Sequence, residues 1–178
     1  MARGTYAGSS RHQGGHSLLA LMFDTVAEVE SFMQDFEACR LPKERWTHLA
    51  HLVAGFWYLS RHDMARALDT IRSRIRSHNE SVGTANTDTG GYHETITRLY
   101  MRAIAAHMEL HGTLSFERSL AALLASPLAK SDWPLSYYTR ERLFSTHARH
   151  NWVEPDLRSL AIDPQANLME LRHPPPKD

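Results

Sequence analysis

Trp46-Thr47-His48-Leu49-Ala50-His51-Leu52-Val53-Ala54-Gly55-Phe56-Trp57-Tyr58-Leu59 carries the pattern that decides the fold. Leu49, Leu52, Val53, Phe56 and Leu59 recur at three- and four-residue intervals, the period of a helix face rather than the alternation of a strand. Trp46 and Trp57 occupy one flank of that stripe, and His48, His51, Gly55 and Tyr58 the other. With apolar or aromatic side chains around most of its circumference, this helix is expected to be buried on several sides. Leu41-Pro42 sets its beginning, since proline disfavours helix in the residue before it and suits the first turn after it. The expected span is about 42–60.

Working outward, the same period recurs. Asp24 is the expected N-cap of a helix carrying Val26, Val29, Phe32, Met33 and Phe36 to about Ala38. Asp63 caps a third helix with Met64, Leu68, Ile71 and Ile75, its Arg72, Arg74 and Arg76 turned towards solvent. A polar loop, Glu80–Gly91, then leads into a fourth helix from about Tyr92 to His111, with Ile96, Leu99, Tyr100, Ala103, Ile104 and Met108 on its stripe and Gly112 as its stop. Ser115 opens a short helix to about Ala125, and a last helical region, about 134–152, breaks near Ser145. Nothing alternates like a strand, and no 20- to 50-residue repeat is present. The expected fold is an all-α, single-domain helical bundle of five to six helices over residues 17–165, with a disordered leader at 1–16 and an extended proline-rich tail at 166–178.

Composition narrows the function classes. The chain has 178 residues, 42% of them hydrophobic, enough for a core without disulfide or metal staples. Lys+Arg and Asp+Glu both number 20, and such a balanced charge argues against nucleic acid as the main partner. Cys39, the single cysteine, leaves no disulfide framework and no CxxC motif. The apolar stretches at 17–23 and 52–59 fall far short of the roughly 20 residues of a membrane span, and no export signal is visible. A soluble, cytoplasmic protein acting on a small molecule is the expectation, with no nucleic acid and no membrane as partner.

Histidine is out of proportion at 12 residues, and it is both the commonest metal ligand and the natural acid–base residue near neutral pH. His48 and His51, three apart, lie about 60° apart on neighbouring turns, a separation that can bring two imidazoles to one metal. His93, in Gly90-Gly91-Tyr92-His93-Glu94-Thr95, aligns with the inward side of its own helix. His48, His51 and His93 together would form a three-histidine metal face with positions open to water, substrate or dioxygen. Glu94, about 100° from His93, suits a general base, a carboxylate that orients a histidine, or a plain first-turn acid favoured by the helix dipole. His107 is the candidate fourth ligand, although His107/His111 and His147/His150 also read as surface or capping pairs. His78 falls at a helix end and carries no pattern. Tyr58, Tyr92 and Arg140 are candidate substrate contacts, and the loop Glu80–Gly91 a candidate lid. The zinc-protease, P-loop, dinucleotide-fingerprint, nucleophile-elbow and di-iron motifs are all absent.

The blocks Trp46-Thr47-His48-Leu49-Ala50-His51-Leu52 and Gly91-Tyr92-His93-Glu94-Thr95-Ile96-Thr97, followed by Arg140-Glu141-Arg142-Leu143-Phe144-Ser145 and Trp152-Val153-Glu154-Pro155-Asp156-Leu157, resemble those of a family of small bacterial helical proteins. That resemblance covers roughly 32–157 and implies no particular activity. More loosely, the arrangement is similar to four-helix-bundle transferases and hydrolases that hold a metal with three histidines, whose usual spacing is HxxxH where this chain has HxxH. The functional expectation is a mononuclear metalloenzyme using a divalent metal ion: iron(II) in an oxidase or oxygenase by slight preference, zinc in a hydrolase or transferase as the alternative. From a different class, the same residues suit a non-catalytic helical protein whose histidines are structural and whose inter-helix cavity holds a small ligand.

Overall fold

The computed structural model describes residue 23 and residues 25–160. The expected leader, the tail and the proposed cap Asp24 lie outside them. Among the described residues seven α-helices follow one another: α1 Val26–Glu37, α2 His48–Leu59, α3 Met64–Ser81, α4 Glu94–Leu110, α5 Phe116–Leu124, α6 Arg140–Leu143 and α7 Thr146–His150. Three short 3-10 turns, Lys43–Arg45, Pro127–Ala129 and Trp133–Ser136, join them, and no strand occurs among the described residues. The protein is all-α, as the periodicity predicts.

Side-chain caps set most helix starts. Thr25, rather than Asp24, closes a capping box with Glu28 at the start of α1. Asp63 accepts from the Arg66 N–H at 2.8 Å, and Ser115 from Arg118. The second helix starts later than Pro42 suggests, because Thr47 turns extended (ψ 174°) and caps it by accepting from the Ala50 N–H. Residues 43–45 form a 3-10 turn instead. At the other end, α3 continues to Ser81 and so shortens the expected loop. The last helical region resolves into a 3-10 turn and two short helices, α6 and α7, started by Thr139 and Ser145.

Helix α2 lies at the centre, packed against α3, α4 and α5. Its residues 50, 52–56 and 58 are all buried, which explains its nearly unbroken apolar circumference. Gly55 lets α4 approach closely: a Cβ there would meet Ile104 Cδ1 at 2.7 Å and Met101 Sδ at 3.3 Å. Where α1 ends, Cys39 adopts φ 55°. Its N–H donates to Phe36 O at 3.1 Å and that of Arg40 to Asp35 O at 2.8 Å, the paired bonds of a left-handed helix stop.

The segment before α4 is pinned from inside. Asn86 Oδ1 accepts from the Tyr92 N–H at 3.0 Å and from Asn79 Nδ2 at 2.9 Å, while its Nδ2 donates to Arg76 O and Glu80 Oε1, both at 3.2 Å. Gly91, at φ 71°, passes so close that a Cβ would lie 2.6 Å from Ala85 O. This loop is a hydrogen-bonded cap on the α3–α4 connection, and none of its residues lines the cavity described next.

Candidate ligand cavity

A half-open cavity of about 300 Å³ lies between α2, α3 and α4. Helix α2 contributes His48, His51, Leu52 and Gly55 to its wall, α3 contributes Ile71 and Ile75, and α4 contributes Ile96, Thr97, Tyr100, Met101 and Ile104. The three-residue step that brings His48 and His51 to one flank of α2 places both in this wall, next to the close approach that Gly55 permits. His51 packs on Trp46 with ring centroids 4.1 Å apart, and His48 on Tyr100 at 5.1 Å. Everything else around the space is hydrocarbon, apart from the Thr97 and Tyr100 hydroxyls and the Met101 sulfur.

Both imidazoles are held in a defined tautomer. His48 Nε2 donates to Leu128 O and His51 Nδ1 to Thr47 O, each at 2.8 Å. A carbonyl only accepts, so in the neutral ring the hydrogen sits on the bonded nitrogen and the other nitrogen is a bare acceptor. Burial pushes the His51 pKa down to about 4, with nearby His48 and His78 acting in the same direction against the Thr47 carbonyl. At neutral pH His51 is therefore uncharged.

Three further histidines are spent elsewhere in the same manner. His93 is the N-cap of α4: its Nδ1 accepts from the Ile96 N–H, while Nε2 donates to Leu143 O at 2.9 Å. Both of its nitrogens are engaged, and it is not part of the cavity wall. His107 is buried rather than superficial and donates to Ser119 O at 3.1 Å. Desolvation lowers the pKa of each to about 4, helped by Arg149 at His93 and by His111 at His107. His78, which carries no pattern in the sequence, is fully buried and donates to Leu41 O at 2.9 Å. Four imidazoles, those of His48, His78, His93 and His107, thus tie backbone carbonyls of separate segments together.

His48, His51 and His93 therefore do not form one face. Among the described residues, no group of three or more His, Cys, Asp or Glu side chains is placed to hold a metal ion. Among the described residues, those lining the cavity include two imidazoles but no carboxylate, thiolate or third imidazole, which does not fit a resident iron or zinc centre of the expected kind.

Glu94 has a structural partner set. Arg72, expected on a solvated face, grips its carboxylate with Nε to Oε2 at 2.9 Å and with Nη2 to Oε1, and Tyr92 Oη donates to Oε2 at 2.8 Å. Desolvation raises the Glu94 pKa, but the bonds from Arg72 and Tyr92 outweigh it and hold the carboxyl below its usual range. A carboxylate so engaged is a weak base. Tyr92 is thereby occupied, Tyr58 Oη donates to Glu37 Oε1 at 3.0 Å, and Arg140 lies exposed over the Phe144 ring. None of the three lines the cavity. What spacing alone does not reveal is the far wall, Ile71, Ile75, Thr97, Tyr100 and Met101, although each apolar member already belongs to, or adjoins, a helix stripe.

No helix among the described residues is long and apolar enough to cross a membrane. Comparison of the chain with family models, curated proteins and solved structures finds no match.

Proposed function

We propose that this protein is a helical small-molecule-binding protein whose ligand occupies the cavity between α2, α3 and α4. The observation that carries this reading is the cavity itself: about 300 Å³ of mostly hydrocarbon wall with two imidazoles on one side, each anchored to a backbone carbonyl through one nitrogen. Natural ligand sites combine such an apolar surface with a few placed polar groups, and this volume lies at the small end of their range. The polar groups that would make the region catalytic are instead bound to one another or to the backbone, as Glu94, Tyr92 and His93 illustrate.

Benzene is the first probe, because a mostly apolar cavity can accept it without needing a hydrogen bond. Titration followed by methyl NMR is expected to give saturable shifts at Ile71, Ile75, Met101 and Ile104, and none at core methyls away from the cavity such as Leu123. Absence of such shifts up to the solubility of benzene would refute the reading. The iron or zinc enzyme expected from the histidine spacing retains His48 and His51 as potential ligands in this same wall. Elemental analysis of protein purified without a nickel column decides for that enzyme if about one metal per chain is found and is lost in His51→Ala.

A further inference from the structure

We infer that the cavity selects a compact, neutral, aromatic or alicyclic molecule bearing an N–H or O–H donor, which it holds on the bare nitrogens His48 Nδ1 and His51 Nε2. This inference rests on the cavity being a ligand site and names the chemistry of its ligand. In the neutral form each ring donates its one hydrogen to a backbone carbonyl, at Leu128 and at Thr47. Among the described residues, neither remaining nitrogen has a hydrogen-bond partner. Two acceptors, from residues about one helical turn apart on α2, are therefore available at the cavity wall.

Charge is set by what is missing from the wall. Among the described residues, no Asp, Glu, Lys or Arg lines the space, so an ammonium ligand would find no counter-ion there and a carboxylate no cation. A carboxylate could create its own cation by protonating an imidazole, but burial and the neighbouring histidines disfavour that at His51. Size is set by the volume: about 300 Å³ suits a bicyclic ring better than a long chain. Thr97 does not compete as a recognition group, because its side chain faces the Tyr92 hydroxyl. Tyr100 Oη likewise donates to Lys130 O at 3.2 Å.

The test compares indole with benzofuran, two bicycles of nearly the same shape, one with an N–H donor and the other with an acceptor oxygen in its place. Binding is followed by NMR, with the histidine ring nitrogens labelled with ¹⁵N. Indole is expected to bind at least about tenfold more tightly and to move the His48 Nδ1 or His51 Nε2 resonance, a preference reduced in a folded His51→Phe variant that still takes up benzofuran. If both compounds bind equally, or if indole binds without moving either resonance, the donor inference is overturned while the cavity reading stands. If neither compound binds, both fall together.

Discussion

Acidification is the perturbation whose size follows most directly from the packing. His93 and His107 are buried and neutral, with folded pKa values near 4 against 6.5 in the unfolded chain. Between those two values the unfolded chain holds more protons than the folded one, so stability rises with pH. The contribution is complete above about pH 6.5, falls as the pH drops, and is fully lost below about pH 4. At pH 5 each site costs about 2 kcal/mol relative to pH 8, and the pair about 4 kcal/mol. His51, whose pKa burial also lowers to about 4, adds to the same slope. Against a total of about 5–15 kcal/mol for a domain, that is a large share. Urea denaturation followed by circular dichroism at pH 8, 6.5 and 5 is the assay. His107→Gln, which keeps an N–H donor for Ser119 O without a titrating ring, is expected to flatten the curve by about 2 kcal/mol. A urea midpoint that is the same at pH 8 and pH 5 would refute the reasoning.

Three further outcomes are expected. Gly55→Ala gains about 1 kcal/mol in helix propensity and loses a similar amount to crowding at Ile104, so thermal stability stays nearly level. Ile104 yields into the cavity, however, and benzene affinity falls at least about tenfold. Glu94→Gln strips Arg72 of its buried charge partner, leaving it only the exposed Asp69, and is expected to cost about 3 kcal/mol by urea denaturation at neutral pH, an effect that shrinks only at acid pH below the usual glutamate range, where the wild-type carboxyl itself protonates. Gly91→Ala forces a Cβ against Ala85 O at a left-handed φ and is expected to cost about 3 kcal/mol, with faster amide exchange at Tyr92 as the local signature.

The helices were legible because their signal is periodic. Leu52, Val53 and Phe56, or Ile71 and Ile75, repeat at the helical interval whatever they pack against, and all five are buried. Helix starts were less legible: Pro42 points to an earlier beginning for α2, and the Thr47 bond to the Ala50 N–H instead starts it at His48. In the site, the spacing of His48 and His51 correctly put the two on one flank, and Gly55 beside them marked a close approach. The role of His93 was not legible, since its partners are a carbonyl fifty residues away and the first turn of its own helix. The same holds for His78 and Leu41, 37 residues apart. A backbone carbonyl has no letter in the sequence, so an imidazole that serves one looks the same as an imidazole that awaits a metal. The role of Arg72 is hidden for a related reason: its position on α3 reads as solvent-facing, but the neighbouring helix brings Glu94 to it.

The stop that ends α1 makes the chain unusually easy to instrument. Its one thiol, Cys39, sits at φ 55°, where a side chain is a burden and glycine is at home. Cys39→Gly should therefore leave the fold intact or firmer by up to about 1 kcal/mol. The product is a thiol-free background into which single cysteines can be introduced on the outer faces of α3 and α4, so that spin labels or fluorophores report how far those two helices part when a guest molecule enters between them.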